Sequence, residues 1–243
     1  MTTTTSDRLI SSDFFVEGPT PARYWGDQWL RVSEKLLKGL NHQFTNRVAS
    51  LDAAVTLYEL DGASESGFAQ MLSGEVARLH DLLRLYRTLT SEPITAAEPA
   101  RVQDIVPMAV GLQEHHSDLR HIPCAVIGDP DAEPILVRHS ALLRCLLVLL
   151  ASVAGNVLRS GQSEAVEVEF GSVASETWLR IRGAAPTGQL LFSGEGSLLH
   201  AVRAALAHAH ASADGVIRRS AEGDQLEYEL RFPTLAAARQ TIE

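Results

Sequence analysis

Residues 24–60 read YWGDQWLRVSEKLLKGLNHQFTNRVASLDAAVTLYEL, and this stretch decides the first half of the fold. Its apolar residues Trp29, Leu37, Leu40, Phe44, Val48, Leu51, Val55 and Tyr58 recur mostly in steps of three and four, which predicts a long amphipathic helix with a narrow apolar seam. Asp61 to Gly67 (DGASESG) holds two glycines and several turn formers, so the chain is expected to reverse there. A second run with the same period follows in Phe68, Leu72, Val76, Leu79, Leu83, Tyr86 and Leu89. Two helices joined by a short turn make an antiparallel hairpin, which cannot cover its own apolar stripe. Either a second copy supplies the cover, giving a homodimer built on a four-helix bundle, or the rest of the chain does.

Outward from the hairpin the chain divides into four parts. Residues 1–22 read as a disordered tail, 23–92 as the helical hairpin, 93–98 as a proline-bearing linker and 99–243 as a second domain. In that domain Arg101–Ile105 is expected as a strand and Val106–His121 as a helix. Short β-rich runs follow at Pro123–Ile127 and Glu133–Val137, on either side of a turn at Gly128–Asp131. A helix at Ser140–Leu158, alternating strands at Val166–Phe170 and Trp178–Arg182, a helix at Leu198–Ala211 and a closing hairpin (Val216–Ser220 with Gln225–Phe232) complete it. The pattern predicts an α+β sandwich, one mixed sheet with three helices on one face. Ala141–Leu158 is apolar enough to draw notice as a membrane span. It carries Arg144, Ser152, Gly155 and Asn156, however, and is read as a buried helix of a globular domain.

The 243 residues carry a net charge of −9, from 30 acidic against 21 basic side chains. That balance disfavours nucleic acid as a partner, because neutralising phosphates needs a basic face. The two cysteines, Cys124 and Cys145, lie in apolar surroundings without metal-binding or redox spacing. The first residues lack a basic segment followed by an apolar one, so neither a signal peptide nor an anchor is expected. A cytoplasmic protein with no membrane partner is the resulting expectation.

Chemistry points first to His42. With Leu40 and Phe44 on the seam, His42 falls on the solvent side of its helix, and helical spacing adds Arg31, Lys35, Lys38 and Asn46 to the same side. A basic stripe around an imidazole suits an incoming phosphoryl group, whose developing charge lies on oxygen. A neutral ring nitrogen can attack phosphorus and later release the group. On the residues alone, a solvated surface histidine fits equally.

The string His42-Gln43-x-x-Asn46 resembles the phosphoacceptor box of histidine-kinase dimerisation hairpins, in which an acid follows the histidine and an Asn or Thr lies four positions on. Here Gln43 replaces the acid that helps activate the histidine toward ATP. The second domain is similar to the ATP-binding (Bergerat-type) domain of the same family. The likeness lies in its order of elements and in Gly194-Glu195-Gly196-Ser197-Leu198 followed by Asp214-Gly215-Val216-Ile217 and Phe232-Pro233. The family's magnesium-holding asparagines fall on Val148 and Ser152, with Asn156 one turn on, and Arg182-Gly183-Ala184-Ala185-Pro186 lacks the adenine-reading aspartate.

This resemblance, to pseudo-histidine-kinase phosphotransferases, implies a phosphotransferase with a phosphohistidine intermediate and not an ATP-dependent kinase. His42 would accept a phosphoryl group from a response-regulator receiver and pass it to another. Asn46, Gln43 and Lys38 would assist, and Lys35 and Arg47 would meet the partner. No cofactor is expected in this chain, magnesium being supplied by the receiver. A noncatalytic dimeric adaptor, or a phosphatase using Gln43 or Asn46, is the alternative. Gly194-x-Gly196 is set aside as a phosphate loop, and His115-His116 with His200, His208 and His210 are set aside as metal ligands and read as surface histidines.

Overall fold

The computed structural model describes residues 6–9, 20–61, 65–90, 96–162, 164–186, 192–220 and 223–242. Two helices come first among the large elements, α1 (Pro21–Asp61) and α2 (Glu65–Thr90). At about 1.5 Å per residue α1 is about 60 Å long. The pair is antiparallel: Tyr58 stacks on Phe68 near the turn, and Phe44 meets Tyr86 edge-on farther down.

A helical hairpin is therefore followed by an α+β domain, as its periodicity predicted. The domain's elements are β2 (Glu98–Ala100), α3 (Val102–Gln113), β3 (Cys124–Gly128), β4 (Ile135–Val137), α4 (His139–Ser160), β5 (Val166–Val173) and β6 (Glu176–Ala185). They continue with α5 (Phe192–Leu206), β7 (Ser212–Ser220), β8 (Gly223–Pro233) and α6 (Leu235–Ile242). Counting β1 (Ser6–Leu9), a six-stranded sheet runs in the order β1-β7-β8-β6-β5-β3, with β3 and β5 parallel and every other pair antiparallel. β2 and β4 form a separate antiparallel pair.

One face of the large sheet carries charge and the other carries the core. On the charged face Arg180 bonds Glu229 and pairs with Glu169 and Glu227, while Arg182 reaches Glu167 and Glu169. Opposite charges on neighbouring strands satisfy one another there. The other face presents Val168, Leu179, Ile181, Leu226, Tyr228 and Leu230, all buried. α4 closes on this face where Gly183 removes a side chain, for a Cβ there would meet Val153 and Val157 at 2.8 Å. Long and apolar enough to cross a bilayer, α4 instead supplies Leu142, Leu146, Leu149, Leu150 and Val153 to the core. It stops at Gly161, whose left-handed backbone returns its N–H to the Leu158 carbonyl.

Several expectations need correction. Part of the 1–22 tail is ordered as β1, paired with β7 from Ser6↔Arg219 to Leu9↔Val216, and α1 begins inside the same span at Pro21. A four-residue strand can borrow its order from an existing edge, which no local pattern announces. Residues 101–105 are not a strand: Val102, Ile105, Val106, Ala109 and Leu112 form one buried helical stripe, and β2 lies just before it, sharing Glu98 with the expected linker. The other linker positions, 91–95, lie outside the described residues. Helix α6 has no counterpart in the sequence reading.

Candidate functional site

The hairpin seam has two covers. In the first half of α1, Val32, Leu36 and Leu40 are buried in the same core cluster as Ile105, Leu112 and Leu146. There α1 packs on α2, α4 and α5 of its own chain. The Arg144 guanidinium of α4 adds a contact 5.1 Å from the Trp29 ring centroid. In the distal half the seam is open: Val48 is 58% exposed, Val55 41%, and on α2 Val76 and Leu83 are exposed.

His42 stands just beyond the covered half. It is exposed, and its Nε2 lies 3.3 Å from the Asn46 Nδ2 one turn on. An amide N–H directed at Nε2 requires that nitrogen to hold its lone pair, hence the tautomer protonated at Nδ1. Asn46 is exposed, while Thr45 and Ser50 bond back to the helix carbonyls of Asn41 and Asn46. Gln43 is half-buried and Lys38 fully on the surface.

The remaining basic residues are engaged within the chain. Lys35 Nζ lies 2.8 Å from Asp118 Oδ2, in the turn after α3. That carboxylate holds the Lys35 ammonium above its ordinary pKa, and the ammonium in turn holds Asp118 below the usual carboxylate value. Arg47 reaches Glu75 of α2 at 3.4 Å, and Arg78 bonds the same carboxylate, which is buried. The pairing ties the two helices together beside His42. The structure thus groups His42, Asn46 and Lys38 on one open face, and turns Lys35 and Arg47 inward to partners of the same chain.

The turn that meets Lys35 was not foreseen. The Ser117 N–H bonds the Lys35 carbonyl at 3.2 Å, and Gly39 abuts the His115 carbonyl. A glycine inside a strongly helical run was the available signal, since such a residue commonly marks a close backbone approach. His115 and His116, read as surface histidines, are corrected: His115 is half-buried and His116 is 5% exposed. Both follow directly on α3 where it meets α1, and burial drives both imidazole pKa values down. His208 is also engaged, its Nε2 accepting the Arg138 N–H at 2.9 Å.

On α4, Val148 is buried and Ser152 Oγ bonds the Tyr228 hydroxyl at 3.2 Å. Asn156 is buried, its amide donating to the Ser152 carbonyl and its Oδ1 accepting from Arg159. The oxygens that could replace a missing magnesium ligand are therefore already bonded within the domain. Gly194 and Gly196 lie inside α5, not in a loop. Among the described residues, no group of three His, Cys, Asp or Glu side chains is arranged to hold a metal.

No family model and no curated protein matches this chain. Solved structures similar to it are histidine-kinase domains. One is the Acinetobacter baumannii histidine kinase AdeS, with 15% identity over 80% of this chain and 98% of that one and a TM-score of 0.42. Another is a histidine kinase from Burkholderia phymatum, with 13% identity over 85% and 97% and a TM-score of 0.46. A third is the histidine kinase ThkA, solved in complex with the response regulator TrrA, with 10% identity over 87% and 64% and a TM-score of 0.45.

Proposed function

We propose that this chain is a cytoplasmic histidine phosphotransferase of a two-component phosphorelay, working without ATP and as a homodimer. The observation that carries the reading is His42 itself: exposed, with Asn46 at Nε2 and Lys38 one turn away. The Nε2 lone pair attacks the phosphorus of a receiver's phospho-aspartate. The P–N bond forms as the P–O bond breaks, the aspartate leaves as carboxylate, and the Nδ1 proton departs to solvent. Asn46 keeps the reactive lone pair on Nε2 and swings to a phosphoryl oxygen as the group arrives. Lys38 opposes the charge on those oxygens. Magnesium comes with the receiver, whose own acids hold it.

The absence of ATP chemistry rests on Val148, on the bonded states of Ser152 and Asn156, and on Gln43 in place of an acid beside His42. A second copy would cover the distal seam at Val48, Val55, Val76 and Leu83.

The test is label transfer from a panel of phosphorylated receivers, beside labelled ATP with magnesium, for wild type and His42→Ala. Acid-labile label from a receiver and not from ATP, lost in the variant, is expected. Label from ATP overturns the reading. No label from any receiver, with retained binding, replaces it by the adaptor; faster loss of receiver phosphate without label on this chain replaces it by the phosphatase.

A further inference from the structure

The turn after α3 grips α1 at four consecutive residues. The His115 carbonyl seats on Gly39, and the Ser117 N–H bonds the Lys35 carbonyl. Asp118 Oδ2 pairs with Lys35 Nζ at 2.8 Å, while Asp118 Oδ1 accepts from Ser117 Oγ at 2.7 Å. His116 lies among them and points inward. Its Nδ1 receives two backbone donors, the N–H of Asp118 at 3.3 Å and that of Leu119 at 3.2 Å.

Both donors converge on one ring nitrogen, so the geometry demands a lone pair there. A proton at Nδ1 would set a donor against two donors. At 5% exposure the ring has little room to find water instead, and the turn would have to unwind to relieve the clash. Unwinding it moves the Ser117 amide and the Asp118 carboxylate away from Lys35. Gly39 lies three residues before His42, so the helix turn that presents His42 is the one the grip steadies.

We propose that His116 is a positioning residue for the His42 site: its neutral imidazole holds the turn that grips α1, and protonation at Nδ1 releases that grip. The activity part rests on the reading of His42 as a phosphoryl acceptor, whereas the structural part stands without it.

Burial opposes protonation of His116; among the charges that face it, Asp118 in its own turn favours the imidazolium and Lys35 on α1 opposes it. The net shift is downward from the ordinary 6.5. The neutral form is therefore the one the fold prefers, so the grip is complete above the ordinary value and is lost as pH falls through the lower folded value.

The experiment follows the full chain by nuclear magnetic resonance from about pH 7.5 to about pH 4.5, for wild type and His116→Asn. The Asn side chain keeps an acceptor near the Nδ1 position and does not titrate. In wild type the amides of Gly39, Ser117, Asp118 and Leu119 are expected to shift together with the His116 ring, at one midpoint below 6.5. In His116→Asn that common transition should vanish. Amides of Gly39 and Ser117 that stay still while the His116 ring protonates overturn the proposal, and this holds on wild type alone if the variant fails to fold. So does an unchanged transition in the variant.

A second arm measures transfer from a phosphorylated receiver across the same pH range. His42 itself loses its nucleophilic form on acidification, but it does so in both proteins. The wild-type rate should fall several-fold further than that of His116→Asn, and equal profiles count against the positioning role. If neither protein accepts phosphate at any pH, the phosphotransferase reading fails while the resonance arm still decides the grip.

Discussion

Gly39 and His115 touch backbone to backbone: a methyl group on the Gly39 α-carbon would sit 1.6 Å from the His115 carbonyl oxygen. Neither partner is the tip of a flexible side chain, so a larger residue can be admitted only by shifting α1 off the turn. Gly39→Ala is expected to lower stability by about 1–3 kcal/mol, although alanine is the better helix former in isolation. Chemical denaturation compared with Gly74→Ala, where no atom lies within 4 Å, checks this, since the second substitution should be neutral or stabilising.

The open seam of the distal hairpin predicts association. Val48→Glu with Val55→Glu places two charges on that seam, which is already exposed in the single chain and costs little there. Light scattering at micromolar concentration is expected to show a dimer for wild type and a monomer for the double variant, with unchanged circular dichroism. A wild-type monomer would leave the seam without the partner assigned to it.

Calorimetric titration with ATP and magnesium should give no saturable heat. Asn156 would have to surrender bonds to Ser152 and Arg159 before it could serve a cation, and Val148 has no oxygen to offer. Saturable binding that chelation of magnesium abolishes would contradict this.

Neither thiol should react in the native protein near neutral pH. Burial pushes the Cys124 thiol up to about 11 and raises Cys145 further, so the thiolate that attacks a reagent is scarce. Labelling by a maleimide is expected to be slow for folded protein and to reach both residues once denaturant is added. Rapid labelling of Cys145 in native conditions would show that α4 opens.

Much of this architecture was legible because it rests on period. The 3.6-residue repeat marked α1, α2 and α4, and alternation marked β5, β6 and the β7–β8 hairpin, since each pattern reflects which face of an element meets the core. His42 and Asn46 were legible for the same reason: on a regular helix, four residues apart means one face. Strand β1 was not, because its order comes from pairing with Arg219–Val216, far away in the chain. Residues 101–105 were misread because Val102, Ile105 and Val106 are too few to separate a strand from a first helical turn until Ala109 and Leu112 are seen buried with them.

The sequence by itself determined the elements, the boundary between hairpin and α+β domain, and the outward face carrying His42, all of which depend on spacing along one helix or strand. Only the tertiary structure decided what meets that face. Lys35 and Arg47 look like free cations in the sequence, yet Asp118 and Glu75 neutralise them, and His116 looks like a surface residue although it is buried behind α1. Charge pairing and burial are set by groups distant in sequence, and a coulombic partner at 2.8 Å leaves no periodic mark on either strand of text.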